Sequence, residues 1–377
     1  MTEPLQQQFA NLSDDVKDKL FNRGFQLDRF LKLAARLTGA AEHSNLVSGE
    51  LAPPTDEDIR QLPPTDSAES KRYEELGLEA LCAGQCAMVV LAGGMATRMG
   101  GVVKALVEAL PGHRFLDLRL NEATALERRC RNRIPLWLMT SDATHEAIVE
   151  ALGSRRDGYY IEAFEQESSL RLTLEGNVFF DAEGRPSLHS PGHGDLPDAL
   201  IRSGLLRQFL DRGGRYLTLA NIDNLGASLD PRIIGFHIDH GRPLTCEVVD
   251  KVGTDKGGIP VRLDGRAVVL EEFRIPATFD PASVRVFSTN TFHVSAESLI
   301  QAEVPWTYFT VEKKVGGKPA IQFERLLNEL TSTLPTQYLH LPREGAASRF
   351  LPVKDFRELE QRQGEITLVA RDRGMVE

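Results

Sequence analysis

The sequence predicts a doubly wound α/β fold: a mostly parallel sheet with helices on both faces, preceded by N-terminal helices and followed by a small C-terminal segment. Three observations predict it. From Ala87 onward, short apolar runs of strand length alternate with amphipathic stretches, the pattern of a parallel sheet wrapped by crossover helices. Residues 91–104, LAGGMATRMGGVVK, place a glycine-rich loop directly after the apolar run Ala87–Val90. Polar clusters recur just past the predicted strand ends, where ligands of such sheets lie.

Residues 1 to about 40 have helical periodicity. Phe9, Leu12, Val16, Leu20, Phe25, Leu27, Phe30, Leu31 and Leu33 recur at three- and four-residue steps, Ser13-Asp14 is a candidate N-cap, and Gly24 and Gly39 punctuate the run. Pro53, Pro54, Pro63 and Pro64 make residues 50–66 an extended connector. Residues 67–84 read as a helix leading into the strand before the loop. Strands are then predicted at 135–140, 159–164 and 216–220, with helices over 143–152, 196–212 and 231–240 and a hairpin arm over 170–180. Residues 244–249, 259–263 and 267–272 read as further strands, 284–287 as another, and 320–330 as a helix. The organisation is an N-terminal extension and linker over 1–84, an α/β core over 85–342, and a segment over 343–377 that completes the site.

Composition narrows the function classes. The 377 residues are 41% hydrophobic and 26% charged, ordinary for a globular chain. A net charge of −10 opposes a nucleic-acid footprint. No run has the length of a membrane span, and no N-terminal stretch has the basic start and apolar centre of a signal peptide. Cys82, Cys86, Cys130 and Cys246 match no zinc spacing. Cys82 and Cys86 are either free thiols of a reducing cytosol or two ligands needing partners elsewhere. The expectation is a cytoplasmic protein without nucleic-acid or membrane partners.

The loop is neither of the common nucleotide fingerprints. G-x-G-x-x-G is absent, which disfavours a nicotinamide enzyme, and so is G-x-x-x-x-G-K-[ST]. Gly93, Gly94, Gly100 and Gly101 let the backbone approach a bulky anion, while Thr97, Arg98 and Lys104 supply donors and charge. The competing reading is a tight turn without a ligand. Further along, Gln166 follows one strand, Ser190-Pro191-Gly192-His193-Gly194-Asp195 leads into a helix, and Asn221-Ile222-Asp223-Asn224 follows another strand. Asp250-Lys251 with Lys256-Gly257-Gly258, Ser288-Thr289-Asn290, and Phe350-Leu351-Pro352-Val353-Lys354 complete the series.

In this order the clusters resemble the UDP-sugar pyrophosphorylase family, most closely UTP–glucose-1-phosphate uridylyltransferases, over about residues 85–360. The resemblance implies a nucleotidyltransferase α/β core, UTP and a sugar 1-phosphate as substrates, and Mg2+ as cofactor. It implies phosphate-neutralising roles for Lys104, Lys354 and Arg98. Leu91, Ala92, Gly93, Gly94, Gln166, Gly192 and Asp223 would bind nucleotide, with Asp223 also holding the metal. His193, Asn221, Lys251, Gly258, Glu271 and Asn290 would bind the sugar phosphate. Glu271 and Glu272 are adjacent, and either can face inward; His193 can act neutral or charged. The chain departs from the family at Ala96, usually glycine, and Val103, usually proline, and its loop is about one residue shorter. No counterpart of the C-terminal β-helical domain of eukaryotic members follows. Alternatives are the same reaction on N-acetylglucosamine 1-phosphate or another sugar, and a UDP-sugar-binding module without turnover. The N-terminal helices either pack on the core or form a docking arm.

Overall fold

A computed structural model describes residues 4–37, 45–253, 255 and 257–377. Gly39 and Lys256 lie outside the described residues. The centre is an eight-stranded sheet. Its strands in chain order are β1 (Ile59–Gln61), β2 (Cys86–Leu91), β3 (Leu136–Thr140), β4 (Ile161–Glu165), β5 (Tyr216–Asn221), β6 (Leu244–Asp250), β7 (Val286–Ser295) and β8 (Thr336–His340). Across the sheet they run β1-β8-β6-β7-β5-β2-β3-β4. Every neighbouring pair is parallel except the two that involve β7. The sheet is therefore mostly parallel, and β1 comes from the proline-rich stretch expected to be only a connector.

The strands are apolar throughout because both faces are covered. In β2, Cys86, Met88 and Val90 point into one core, and Ala87, Val89 and Leu91 into the other. The first core is closed by α4 (Ala68–Cys82), α5 (Phe115–Cys130), α6 (His145–Leu152), α9 (Pro231–His240) and α11 (Gln363–Asp372). The second is closed by α7 (Leu196–Arg202), α8 (Leu205–Asp211), α10 (Ala296–Gln301) and the hairpin Gly258–Leu263/Arg266–Glu271. Trp137 is fully buried in it and donates Nε1–H to the Tyr159 carbonyl at 2.5 Å. Helices α4 and α9 cross at backbone contact: a Cβ on Gly77 would lie 1.8 Å from the Pro231 oxygen, and one on Gly235 1.8 Å from the Tyr73 oxygen.

The N-terminal helices α1 (Leu5–Ala10), α2 (Asp14–Asn22) and α3 (Leu27–Leu37) share a separate core. Phe9, Leu20, Phe25, Phe30 and Leu33 pack on Leu170, Leu172, Val178, Ile321 and Phe323. Their apolar face is thus already occupied by the hairpin arm.

Three predicted elements differ. The helix expected over 196–212 is two, because Gly204 adopts φ +79° between α7 and α8. The helix expected over 320–330 is instead strand Lys318–Glu324, paired with Phe309–Val315, followed by a 3-10 turn at Leu327–Ser332. Pro319, Ile321 and Phe323 suit a pleated strand better than a helix. The strand expected to end at Phe287 continues to Ser295, so Ser288–Asn290 lie inside β7. There the β6–β7 register shifts between Cys246 and Val248, and Asn290 takes φ 58°. Helix α5, to which the sequence analysis assigns no element, spans 16 residues.

Candidate active site

Four parallel strands end level with one another. Asn221 pairs beside Leu91, Leu91 beside Met139, and Met139 beside Phe164. The residues that follow these ends bound a cleft of about 440 Å³. Leu91, Gly93, Gly94, Lys104, Gln166, Gly192, His193, Asn221 and Asp223 line it, with Met139, Ser190 and Ile222. A crevice at carboxyl strand ends beside a reversal of strand order is where doubly wound sheets hold ligands.

The glycine loop is a small hairpin. Met95-Ala96 pairs with Val102-Val103, and Gly100 and Gly101 turn at its tip with φ +82° and +76°. The Lys104 N–H donates to the Gly94 oxygen at 3.2 Å, which brings Lys104 back to the cleft. Neither departure from the family strains this hairpin. Ala96 has φ −74°, open to any residue, and Val103 has φ −64°, the value a proline imposes.

Gln166 stands against the loop. It is 5% exposed, and its Oε1 has no hydrogen-bond partner. A Cβ on Gly93 would fall 2.2 Å from its Nε2. Glycine at 93 therefore makes room for the carboxamide, and an unpartnered acceptor lining a cleft is free to meet a donor on a ligand. Gly93 is held in turn by Ser141, whose hydroxyl donates to the Gly93 oxygen at 2.9 Å.

The segment with Gly192 and His193 is clamped by residues 325–327. The Arg325 N–H donates to the Pro191 oxygen at 2.8 Å, and the Gly194 N–H to the Arg325 oxygen at 3.1 Å. Gly192 has φ +87°, and a Cβ there would lie 3.0 Å from the Arg325 oxygen. The Leu327 N–H donates to His193 Nδ1 at 3.0 Å. Nδ1 is therefore an acceptor, and the imidazole proton sits on Nε2. Burial lowers this histidine to about 4. Of the two roles left open by the sequence, the structure supports a neutral donor.

A hydrogen-bonded chain leads from β5 to the second hairpin. Asn290 Nδ2 donates to Asn221 Oδ1 at 3.1 Å, and the Asn290 N–H to Ser288 Oγ at 3.1 Å. Ser288 Oγ donates to Asn328 Oδ1 at 3.4 Å, and Asn328 Nδ2 to Glu271 Oε1 at 2.6 Å. A Cβ on Gly258 would meet Asn328 Nδ2 at 2.7 Å and Glu271 Oε1 at 3.2 Å. Of the two adjacent glutamates, Glu271 belongs to this chain. Burial raises its carboxyl above the usual range. Glu272 instead binds Lys251 at 3.0 Å.

Lys104 Nζ contacts Asp223 Oδ2 at 2.6 Å, the one charge pair across the cleft among its lining residues. The C-terminal segment reaches the same place. The Val353 N–H donates to Asp223 Oδ2 at 3.3 Å, the Leu351 N–H to Asn224 Oδ1 at 2.8 Å, and Asn224 Nδ2 to the Arg349 oxygen at 3.1 Å. Arg349 is buried on Glu247 (2.5 and 3.0 Å), which also accepts from His293 Nε2 at 2.8 Å. Burial opposes the Glu247 charge, but Arg349 and His293 outweigh it and hold the carboxyl down at about 2. Beneath the turn, buried Arg119 donates to the Asn224 oxygen at 2.5 Å and the Ala227 oxygen at 2.6 Å.

Seven expected site residues stand outside the cleft lining. Ala92 is fully buried, its N–H donating to the Met139 oxygen at 2.8 Å. Arg98 is exposed on the hairpin beyond the lining. Lys251 is tied to Glu272 in a neighbouring depression. Lys354 is exposed, its N–H donating to Glu358 at 2.7 Å. Gly258, Glu271 and Asn290 connect to the cleft through the chain above. No motif or spacing in the sequence marks Arg119, Glu167, Arg325, Asn328 or Arg349. Each acts through distant partners, and spacing carries no signal for that.

A sequence profile of the family described as UTP–glucose-1-phosphate uridylyltransferase matches residues 27–371. The UTP–glucose-1-phosphate uridylyltransferase of Musa acuminata is 29% identical over 349 residues, 86% of this chain and 71% of the relative. That of Hordeum vulgare is 30% identical over 352 residues, 86% of this chain and 70% of the relative. In fold, the chain resembles a mutant UDP-glucose pyrophosphorylase from Leishmania major in complex with UDP-glucose (TM-score 0.72, 20% identity, 95% of this chain and 79% of that one). It also resembles the uridine diphosphate N-acetylglucosamine pyrophosphorylase from Trypanosoma brucei in complex with inhibitor (TM-score 0.70, 19% identity, 93% and 78%). The chain belongs to the UTP–glucose-1-phosphate uridylyltransferase family.

Proposed function

We propose that the protein forms UDP-glucose and pyrophosphate from UTP and glucose 1-phosphate. The observation that carries the reading is the convergence of the glycine hairpin, Lys104, Gln166, His193, Asn221 and Asp223 on one cleft at level strand ends. A phosphate oxygen of the sugar attacks the α-phosphorus of UTP, and the bond from that phosphorus to the β-bridging oxygen breaks. The nucleophile is already an anion, because a phosphate monoester's second pKa is about 6. No protein base is needed, and catalysis reduces to alignment and charge neutralisation. The amides of Gly93 and Gly94 and the Lys104 ammonium would hold the triphosphate. Lys104 would leave Asp223 for the phosphates, so ligand entry exchanges one ion pair for another. Gln166 would accept from the uracil N–H, and His193 Nε2–H would donate to the sugar phosphate.

Asp223 fits Mg2+ as one ligand of a shared site. No group of three or more His, Cys, Asp or Glu among the described residues forms a cage, and Mg2+ characteristically takes one carboxylate plus phosphates and waters. When bound there, the ion would neutralise phosphate charge. We also propose the cytoplasm as the compartment, supported by four free cysteines. Among the described residues no helix is long and apolar enough to cross a membrane.

The test is pyrophosphate release from UTP with Mg2+ and a panel of sugar 1-phosphates. Release with glucose 1-phosphate is expected. Release with only an amino sugar overturns the sugar assignment. UDP-glucose binding without release overturns turnover.

A further inference from the structure

Gln166 sits between two carboxylates, Glu165 and Glu167, and cations from the N-terminal helices reach both. Arg23, just past α2, places Nη2 2.6 Å from Glu165 Oε1 and also pairs with Asp142. Lys19 of α2 lies 2.5 Å from the same Asp142, which follows the Ser141 that holds Gly93. Arg29 of α3 pairs with Glu167, whose side chain is 4% exposed. Arg325 Nη2 is 3.8 Å from Glu167 and pairs with Asp195, whose Oδ2 accepts the Glu167 N–H at 2.5 Å. The Tyr308 ring lies against both guanidiniums, 5.2 Å from Arg29 and 5.6 Å from Arg325.

Strand β4 ends at Glu165 and the next N–H, that of Gln166, still donates to the Thr140 oxygen at 2.9 Å, so alternation sends Glu165 to the side opposite Gln166. The strip is therefore gripped by its carboxylates while the carboxamide is left facing the cleft. The grip comes from helices whose own core lies on the hairpin arm, not on the sheet. Fixing both flanks of one residue is more than docking requires; it sets the rotation of the strip and with it the direction of the Gln166 side chain.

We propose that Arg23 and Arg29 are positioning residues for base recognition, which makes the N-terminal helices part of the uracil-reading apparatus. The proposal rests on the UTP reading above. A carboxamide held in one orientation accepts from the uracil N–H and donates to its carbonyl. Cytosine reverses that pattern, and a released carboxamide can turn over to suit either base.

The experiment measures KM for UTP and for glucose 1-phosphate, kcat, and the preference for UTP over CTP, in Arg29→Ala, Arg29→Lys and Arg23→Gln. Arg29→Ala is expected to raise KM for UTP about tenfold and reduce the UTP preference by a similar factor, with kcat and the other KM within about twofold. Arg29→Lys, which keeps the charge beside Glu167, is expected to recover most of the loss. Arg23→Gln, at the more open pair, shows a smaller shift in the same direction and remains readable if Arg29→Ala fails to fold. Equal rises for both substrates, or an unchanged base preference, overturn the proposal. Should the wild-type chain release no pyrophosphate with any sugar phosphate, transfer is excluded and calorimetric binding of UTP and CTP decides. There, tenfold weaker UTP binding in Arg29→Ala supports the positioning role and unchanged binding overturns it.

Discussion

Gly93→Ala separates base reading from folding. The added methyl would lie 2.2 Å from Gln166 Nε2, and its next neighbours, the Ser141 Cβ and N, are at an ordinary 3.4 Å. The clash is therefore with the free end of a flexible side chain, which yields more cheaply than backbone. To reach normal contact the carboxamide must retreat by about 1.2 Å, the difference between those two distances. A hydrogen bond of about 2.9 Å stretched by that much is lost. Losing the pair of contacts to uracil, at about 1–1.5 kcal/mol each, raises KM for UTP by about 30–150-fold. Thermal stability is expected to fall by no more than about 3 °C, since the cost to the folded state stays near 1 kcal/mol in a chain this long. The assays are initial rates with varied UTP at saturating glucose 1-phosphate, and a thermal melt. A Gly93→Ala protein that binds UTP as the wild type does would refute Gln166 as the base reader. A large loss of stability with unchanged base preference would show that the backbone, not the carboxamide, absorbed the clash.

Lys104→Ala removes the cation across the cleft from Asp223; kcat is expected to fall by about 100-fold or more, as for loss of a preorganised charge-stabilising donor, and a fall under tenfold in a pyrophosphate assay would contradict its role. His193, lowered to about 4 by burial, stays neutral from pH 5 upward, so the acid limb of kcat/KM should lie near the sugar phosphate's second pKa of about 6 and remain there in His193→Asn; a limb that moves with that substitution means the imidazole titrates. Because its folded pKa is depressed from 6.5, the stability linked to this histidine is present above pH 6.5 and is lost as pH falls towards about 4, which denaturant melts across that window will read. Arg349→Met leaves Glu247 buried without its guanidinium, at a cost of about 3–5 kcal/mol in urea melts. Adding Glu247→Gln should recover part of that loss, and full additivity of the two would argue against their pairing.

Two features of this protein were readable from the linear order of its residues. The first was the α/β class, because apolar runs flanked by amphipathic stretches record burial on both sheet faces, as in Val89 and Val90. The second was a roster of polar residues just past strand ends, because parallel strands deliver their carboxyl ends to one edge. Gln166, Asn221 and Asp223 come to one cleft for that reason, whereas His193, on the turn into α7, is held there by the clamp of residues 325–327. Local pattern failed where pairing partners decide conformation. Residues 318–324 are a strand because residues 309–315 lie beside them, and β7 continues past Ser288 because β6 pairs with it up to Ser288 and β5 and β6 pair with it again from Phe292. Pattern also cannot tell which cations turn inward: Lys104 reaches Asp223 through the fold of its hairpin, while Lys354 remains exposed and Lys251 is held by Glu272. The grip of Arg23 and Arg29 on the flanks of Gln166 spans more than 130 residues of chain for each. Such contacts exist only once separate cores have docked, so the tertiary structure alone decided them.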